Sequence, residues 1–183
     1  MRRYFVLLVL GGALVLAGCG GGSDTSETAK EQLYPLVKGP SREFLVAGED
    51  NAVQTFGREA TESEREAASR VIEAWMRARE DENWAKGCRY LSKDAQVYLA
   101  RSGTLIAQKK VTSCAKGWAV VVAQGYGVSR VNNMDGPIDS LRLGEGHGYA
   151  QYHGNDGMDW VVPVTREEGA WKITKADPIE RFK

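Results

Sequence analysis

"VVPVTREEGAWKITKADPI", residues 161–179, is the stretch of sequence that decides the fold. Its apolar residues favour an extended strand over Met158–Thr165, and a second alternating run covers Ala170–Thr174. Between these runs, Glu167–Gly169 is a short polar cluster that ends in glycine, which is typical of a tight turn. The stretch therefore predicts a β-hairpin.

The same two-residue periodicity extends upstream of this hairpin. It predicts strands over Ile138–Leu143 and Gly148–His153, and glycine-rich turn clusters follow them at Gly144–Gly146 and Gly154–Gly157. Because the connections are short, neighbouring strands are expected to be antiparallel. Four or more strands should follow one another as a meander.

A different period governs the sequence before residue 125. Thr61 and Glu64 have the spacing of a capping box, which marks the start of a helix. Apolar residues then recur at the spacing of one helical face: Ala68, Val71, Ile72, Trp75 and Met76. The opposite face carries alternating charges and is interpreted as a solvated surface.

Further helices are predicted after this one. A short helix covers Trp84–Leu91, another runs from Ser92 through Leu99 with a break at 102–103, and a last one covers Ser113–Ala123. Helices followed by a meander of strands indicate the α+β class, with the helices packed on one face of a curved antiparallel sheet.

Three segments carry a family resemblance. The opening amphipathic helix, the stretch "WAKGCRYLS" at residues 84–92 and above all the closing hairpin with Gly169, Trp171, Lys172 and Ile173 resemble the cone-shaped domain of the nuclear transport factor two superfamily. The resemblance implies an α+β cone over residues 61–183. It implies no activity, because that superfamily includes ketosteroid isomerase and scytalone dehydratase as well as transport factors and binding modules.

The N-terminal 18 residues have the layout of an export signal. Arg2 and Arg3 precede an apolar run, Tyr4–Ala17, that is short for a membrane span. "LAGC", residues 16–19, resembles the lipobox of bacterial lipoproteins, many of them small proteins of actinobacterial type. That resemblance implies cleavage before Cys19, attachment of membrane lipid to its sulfur, and a location on the extracytoplasmic face of the cell membrane. An ordinary cleaved signal and an uncleaved anchor are the alternatives.

The sequence thus divides into four parts. Residues 1–18 are the predicted lipoprotein signal peptide, and 19–32 are the lipidated cysteine with a polar tether that has nothing to bury. Residues 33–60 are expected to form an extended arm or two short strands, at 44–47 and 53–56. Residues 61–183 form the α+β domain.

Three cysteines occur in the chain, and an odd number in an exported protein leaves one thiol to explain. Lipidation of Cys19 leaves Cys88 and Cys114, which are expected to pair in an oxidising compartment. Zinc is the rival interpretation, but the sequence has no C-x-x-C spacing and both histidines lie downstream.

Candidate polar site residues lie in "GEGHGYAQYHGND", residues 144–156. If this segment is a strand, His147, Tyr149 and His153 share one face. Facing into the cone they would supply two bases for an isomerase or dehydratase; facing outward they belong to a solvated sheet surface, which we favour. A metal site with Asp156 or Asp159 as a further ligand is a third interpretation, and neither a metal nor a cofactor is expected.

Composition limits the partners. The 24 basic residues equal the 24 acidic ones, so the chain has no basic surplus for nucleic acid. The favoured function is therefore a non-enzymatic, lipid-anchored module that binds a small apolar ligand or an envelope protein. Five aromatic residues could line a pocket or fill the core: Trp75, Trp118, Tyr149, Trp160 and Trp171.

Overall fold

The computed structural model of the protein describes residues 39–125, 137–177 and 179–181. Cys19, the predicted signal peptide 1–18 and the predicted tether 19–32 lie outside the described residues. The boundary predicted at residue 33 lies outside them as well.

Helices precede most of the strands in chain order. A 3₁₀ helix, Pro40–Phe44, is followed by β1 (Arg58–Glu59), and then come the four α-helices: α1 (Glu62–Glu80), α2 (Trp84–Cys88), α3 (Lys93–Ala107) and α4 (Cys114–Ala123). The remaining strands are β2 (Ser140–Gly144), β3 (His147–His153), β4 (Asp159–Glu167), β5 (Ala170–Ile173) and β6 (Ile179–Arg181). The predicted α+β class is confirmed.

The strands form one antiparallel sheet in the order β1-β2-β3-β4-β5. Strand β6 also pairs with β4, so two short strands share one edge of β4: β5 lies beside Val164–Glu167 and β6 beside Asp159–Val161. The hairpin predicted from the opening stretch is the β4–β5 pair, and its turn contains Glu168 and Gly169 at positive φ. The connection 174–177 leaves the sheet between β5 and β6.

The helices cover one face of this sheet. Helix α1 begins at the predicted capping box, in which Thr61 and Glu64 each accept the other's backbone N–H. The apolar side chains between helices and sheet are buried in one core: Ala68, Ile72, Trp75, Leu91, Leu99, Trp118, Leu141, Ala150, Tyr152, Trp160, Val162, Val164 and Ile173. Val71 is only half-buried, at the margin of this core.

The prediction of a helix break at 102–103 was wrong. Helix α3 continues through Gly103 to Ala107 because this glycine allows close packing against α4 rather than a turn. A Cβ atom at Gly103 would lie 2.5 Å from the Cα of Gly117, and one at Gly117 would lie 2.6 Å from the carbonyl carbon of Leu99. Helix α2 is also shorter than predicted and ends at Cys88.

The two short strands predicted for residues 44–47 and 53–56 are not formed. Residues 39–57 contain the 3₁₀ helix and a series of turns, which pack on the sheet face opposite the helices. Asn51 stabilises the turn, because its side chain accepts from Val46 N and donates to Val46 O and Glu49 O. Side-chain hydrogen bonds therefore replace strand pairing in this segment.

The contact between α3 and α4 can be tested with Gly117→Ala, because helix propensity and packing predict opposite changes in stability. Helix propensity alone would make Gly117→Ala stabilising by about 1 kcal/mol. The steric overlap with Leu99 instead predicts destabilisation by about 1–3 kcal/mol, measured by urea unfolding. Ala123→Gly, at the exposed end of the same helix, gives the propensity effect without the packing effect. A stabilised Gly117→Ala protein would show that α3 and α4 do not approach this closely.

Candidate functional site

An open groove lies between α3, α4 and the connection 174–177. Its volume is about 760 Å³. Apolar side chains make up most of the lining: Ala95, Tyr98, Leu99, Leu105, Ile106 and Val121. Asp94, Lys175 and Asp177 are the charged residues at its rim. The groove is of a size that small-molecule sites commonly have.

Helix α3 supplies the exposed apolar part of this groove. Leu105 is 78% exposed and Tyr98 68% exposed, although Leu99 and Gly103 on the same helix are buried. Tyr98 and Leu105 are seven residues apart and therefore lie on one side of the helix. Large apolar side chains that are exposed together as one patch generally mark an interaction site.

The groove wall formed by 174–177 is held in place by Arg79 of α1. The guanidinium carbon of Arg79 lies 4.8 Å from the ring centre of Trp75 and 5.6 Å from that of Trp118. Arg79 donates a hydrogen bond to the carbonyl oxygen of Ala176 and pairs with Asp177, Nη2 to Oδ1, at 3.7 Å. Burial lowers the pKa of Arg79 to about 10, against the opposing effect of Asp177. Arg79 therefore links α1 to the connection 174–177.

Aromatic side chains fill the space between helices and sheet. Trp75, Trp118, Trp160 and Tyr152 are buried, and the rings of Trp75 and Trp118 stack with centres 6.3 Å apart. The Tyr152 hydroxyl has no hydrogen-bond partner among the residues that the structure describes, and burial raises the pKa of this phenol. The tryptophans named above therefore pack in the core, and the groove beside α3 is lined by other residues.

The predicted polar site residues lie on the opposite side of the sheet from the helices. His147 is exposed, Tyr149 and His153 are half-buried, and Gly148, Ala150 and Tyr152 on the other face of β3 are buried in the core. This face is not simply solvated, because residues 39–57 partly cover it. The Phe56 ring meets the Tyr149 ring edge-on, with centres 5.1 Å apart.

His153 lies between two carboxylates. Its Nδ1 is 2.9 Å from Oδ1 of Asp159, and its Nε2 is 3.6 Å from Oε2 of Glu43. The Phe44 ring stacks on the imidazole with centres 4.2 Å apart. A histidine oriented by a carboxylate can act as a base, but here the Phe44 ring covers one face of the imidazole. The structure does not bring His153 and His147 together.

The metal interpretation receives no geometric support. Among the residues that the structure describes, no group of three or more His, Cys, Asp or Glu side chains is arranged to hold a metal ion. Oδ1 of Asp156 accepts from Met158 N and from Nε1 of Trp160, so this side chain stabilises the turn between β3 and β4. Asp159 is the carboxylate that contacts His153.

A buried polar cluster on the same sheet face was not predicted. Oε2 of Glu59 accepts hydrogen bonds from Ser41 Oγ and Ser140 Oγ, both at 2.9 Å, and lies 3.4 Å from the guanidinium of Arg142. Gln151 Nε2 donates to both serine hydroxyls. Polar residues at alternate strand positions are normally interpreted as solvent-facing, so this cluster has no recognisable signal in the sequence.

Cys88 and Cys114 are joined as a disulfide in the structure, with Cα atoms 6.2 Å apart. Cys88 is the last residue of α2 and Cys114 the first residue of α4. The Trp84 and Trp118 rings pack beside this link, with centres 5.3 Å apart. The pair therefore connects two helices that also share an aromatic contact.

Comparison with known proteins provides no information on function, so the proposal below depends on the groove. No family model, no curated protein and no solved structure matches this chain. Within the part of the chain that the structure describes, no helix has both the length and the apolar character needed to cross a membrane.

Proposed function

We propose that this chain is a lipid-anchored extracytoplasmic protein that binds a small apolar molecule in the groove between α3 and α4. One observation carries the proposal: aromatic and aliphatic side chains pack together in the core, while an open apolar groove of about 760 Å³ lies beside it. Apolar surface buried by a guest in this groove would favour binding by about 25 cal/mol per Å².

The rim of the groove suggests how the guest is oriented. Asp94 lies at the first turn of α3, and Lys175 lies on the opposite wall. A guest with an apolar body and one polar end could place that end beside either charge, while its body contacts Tyr98, Leu105 and Ile106. Such a division between apolar lining and a few polar groups is common in ligand sites.

The fold is proposed to be a cone of the nuclear transport factor two type. Helices on one face of a single antiparallel sheet, with a closing hairpin at β4–β5, support this assignment. The proposed location rests on the sequence around Cys19, whose resemblance to a lipobox implies anchoring by two acyl chains on the glyceride.

The enzyme alternative has weaker geometric support. An isomerase or dehydratase needs a base in a solvent-reachable apolar cavity. His147 and His153 lie on the other side of the sheet from the groove. A binding function needs no such base, and the groove as described is sufficient for it.

Photocrosslinking in the native host tests the binding proposal. Tyr98→benzoylphenylalanine places a photoreactive ring in the groove, and Ala52→benzoylphenylalanine places it on the opposite side of the sheet, where Ala52 is exposed. We expect irradiation to add a small, defined mass at position 98 and none at position 52. Intact mass spectrometry of the purified protein provides the measurement.

A blocking variant serves as the control for the groove itself. Ser102→Phe adds a ring to the groove lining, and it should abolish the adduct at position 98. A protein-sized adduct would support the alternative of an envelope-protein partner and contradict the small-molecule proposal. Absence of any adduct at position 98, or an adduct that persists in Ser102→Phe, would also contradict it.

A further inference from the structure

One helix carries the exposed apolar surface of the described residues. Within the described ranges, the large apolar side chains that are more than about a third exposed are all on α3: Val97, Tyr98, Leu105 and Ile106. We call these four residues the α3 face. Single exposed apolar residues scattered over a surface are common. Four on one helix are a contiguous patch, and such a patch marks a binding surface.

Basic side chains surround the α3 face. Arg101 lies between Val97 and Leu105 along the helix, Lys109 and Lys110 follow the left-handed C-cap at Gln108, and Lys175 lies across the groove. All four cations are exposed, and none forms an ion pair within the described ranges. Lys93, at the other end of α3, differs because it pairs with Glu168 at 2.7 Å.

Few negative charges offset these cations. Asp177 is already paired with Arg79, and Asp94 is the other carboxylate lining the groove. The surface therefore combines protruding apolar side chains with an excess of positive charge. Interfacial membrane-binding helices have this combination, because apolar residues enter the headgroup region while lysine and arginine contact anionic lipids.

We propose that the α3 face docks on the anionic surface of a phospholipid membrane. This inference rests on the proposed function, since the lipid on Cys19 would keep the domain beside that surface. Twenty positions separate Cys19 from Gly39, the first described residue. Twenty residues span at most about 70 Å even when fully extended, so a lipid on Cys19 would hold the domain near the bilayer and favour repeated contact.

The charge arrangement favours a membrane over a second copy of the chain. A symmetric dimer through the α3 face would bring Arg101, Lys109 and Lys110 of both copies close together, and like charges at an interface oppose association. An anionic bilayer instead offers complementary charge to every one of these side chains. Long basic side chains can also extend their charged ends to the headgroups while their stems contact apolar surface.

Docking through this face has a consequence for the groove. Tyr98, Leu105 and Ile106 belong both to the α3 face and to the groove lining. The mouth of the groove would then face the bilayer, and the guest class is a lipid acyl chain with its headgroup near Lys175 at the rim. The small adduct expected at position 98 should accordingly contain an acyl chain.

The test uses the full, lipid-anchored protein in vesicles. Leu105→Cys is labelled with the fluorophore NBD under non-reducing conditions, and Ala52→Cys is the matched control on the other side of the sheet. Vesicles contain phosphatidylcholine alone or with 30% phosphatidylglycerol, plus a lipid that carries a headgroup nitroxide. Nitroxide quenching should be at least twofold at position 105 in the anionic vesicles, and much smaller at position 52 or without phosphatidylglycerol.

Charge variants test the basis of the docking. Lys109→Gln with Lys110→Gln should lower the ratio of docked to undocked protein about 30-fold. Arg70→Gln with Arg77→Gln removes two cations from the exposed side of α1 and should leave that ratio unchanged. Equal quenching at positions 105 and 52, or none at 105 in anionic vesicles, would overturn the inference.

The anchor is measured separately in the same preparations. Flotation of the vesicles after a carbonate wash reports whether the protein carries its lipid. Protein that floats without quenching at position 105 retains its anchor but does not dock, which refutes only the present inference. Quenching at 105 in protein that does not float would refute the lipid anchor and support the docking.

Discussion

Glu59→Gln should lower the free energy of unfolding by about 3–5 kcal/mol, a larger loss than most single substitutions cause. Glu59 is the anion that faces Arg142, whose side chain is only 3% exposed, and it also accepts from Ser41, Ser140 and the backbone N–H of Leu141. Glutamine keeps the shape of the side chain but removes the charge. The buried guanidinium then loses its attraction to the Glu59 charge.

Urea unfolding at neutral pH measures this effect. Glu49→Gln is the matched control, because Glu49 is an exposed residue of the same N-terminal segment and its substitution should change stability by less than about 0.5 kcal/mol. Adding Arg142→Met to Glu59→Gln should cost less than the sum of the two single losses, since the buried cation that faced Glu59 is removed as well. A Glu59→Gln protein within 1 kcal/mol of the parent would contradict a buried ion pair.

The polar cluster around Glu59 and Arg142 lies where residues 39–57 pack on the second face of the sheet. The helices bury one face, and residues 39–57 cover part of the other through Phe44 and Leu45, which are both buried. Arg142 donates to the carbonyl oxygens of Phe56 and Gly57, and so holds the end of that segment against β2. Loss of the Glu59 charge should therefore loosen the N-terminal segment before the helical face of the sheet.

Local signals in the sequence were sufficient for most elements. The capping box at Thr61 fixed the start of α1, and period-two alternation located β3 and β4 to within two residues at each end. These signals depend on neighbours in the chain. Helix capping and the alternation of strand faces are local effects, and the sequence shows both directly.

Features that depend on distant contacts were missed. Sequence alone predicts a helix break at Gly103, but its role is to let α3 approach Gly117 of α4, fourteen positions away. Arg142 and Gln151 alternate as solvent-facing strand residues would, yet residues 39–57 bury them. The groove was likewise invisible in the sequence, since it is formed by α3, α4 and the distant connection 174–177.

The disulfide provides the second large expected effect. Replacing both Cys88 and Cys114 by alanine should lower the free energy of unfolding by about 3–4 kcal/mol, because the link closes a loop across 26 positions and restricts the unfolded chain. The slope of the urea transition should also rise, since an unlinked unfolded chain exposes more surface. Reducing the parent protein should move its transition to a similar midpoint.

The packing between α2 and α4 should persist in the variant that lacks both cysteines. Its loss of stability should therefore come mainly from the greater conformational entropy of the unlinked unfolded chain. A Cβ at Gly87 would lie 2.7 Å from the Trp118 ring, so the helices already pack closely there, and Trp84 contacts the same ring. The double variant should therefore remain folded at low denaturant, with unchanged near-ultraviolet circular dichroism. Two thiols open to alkylation in the denatured, unreduced parent would instead show that the cysteines are not paired.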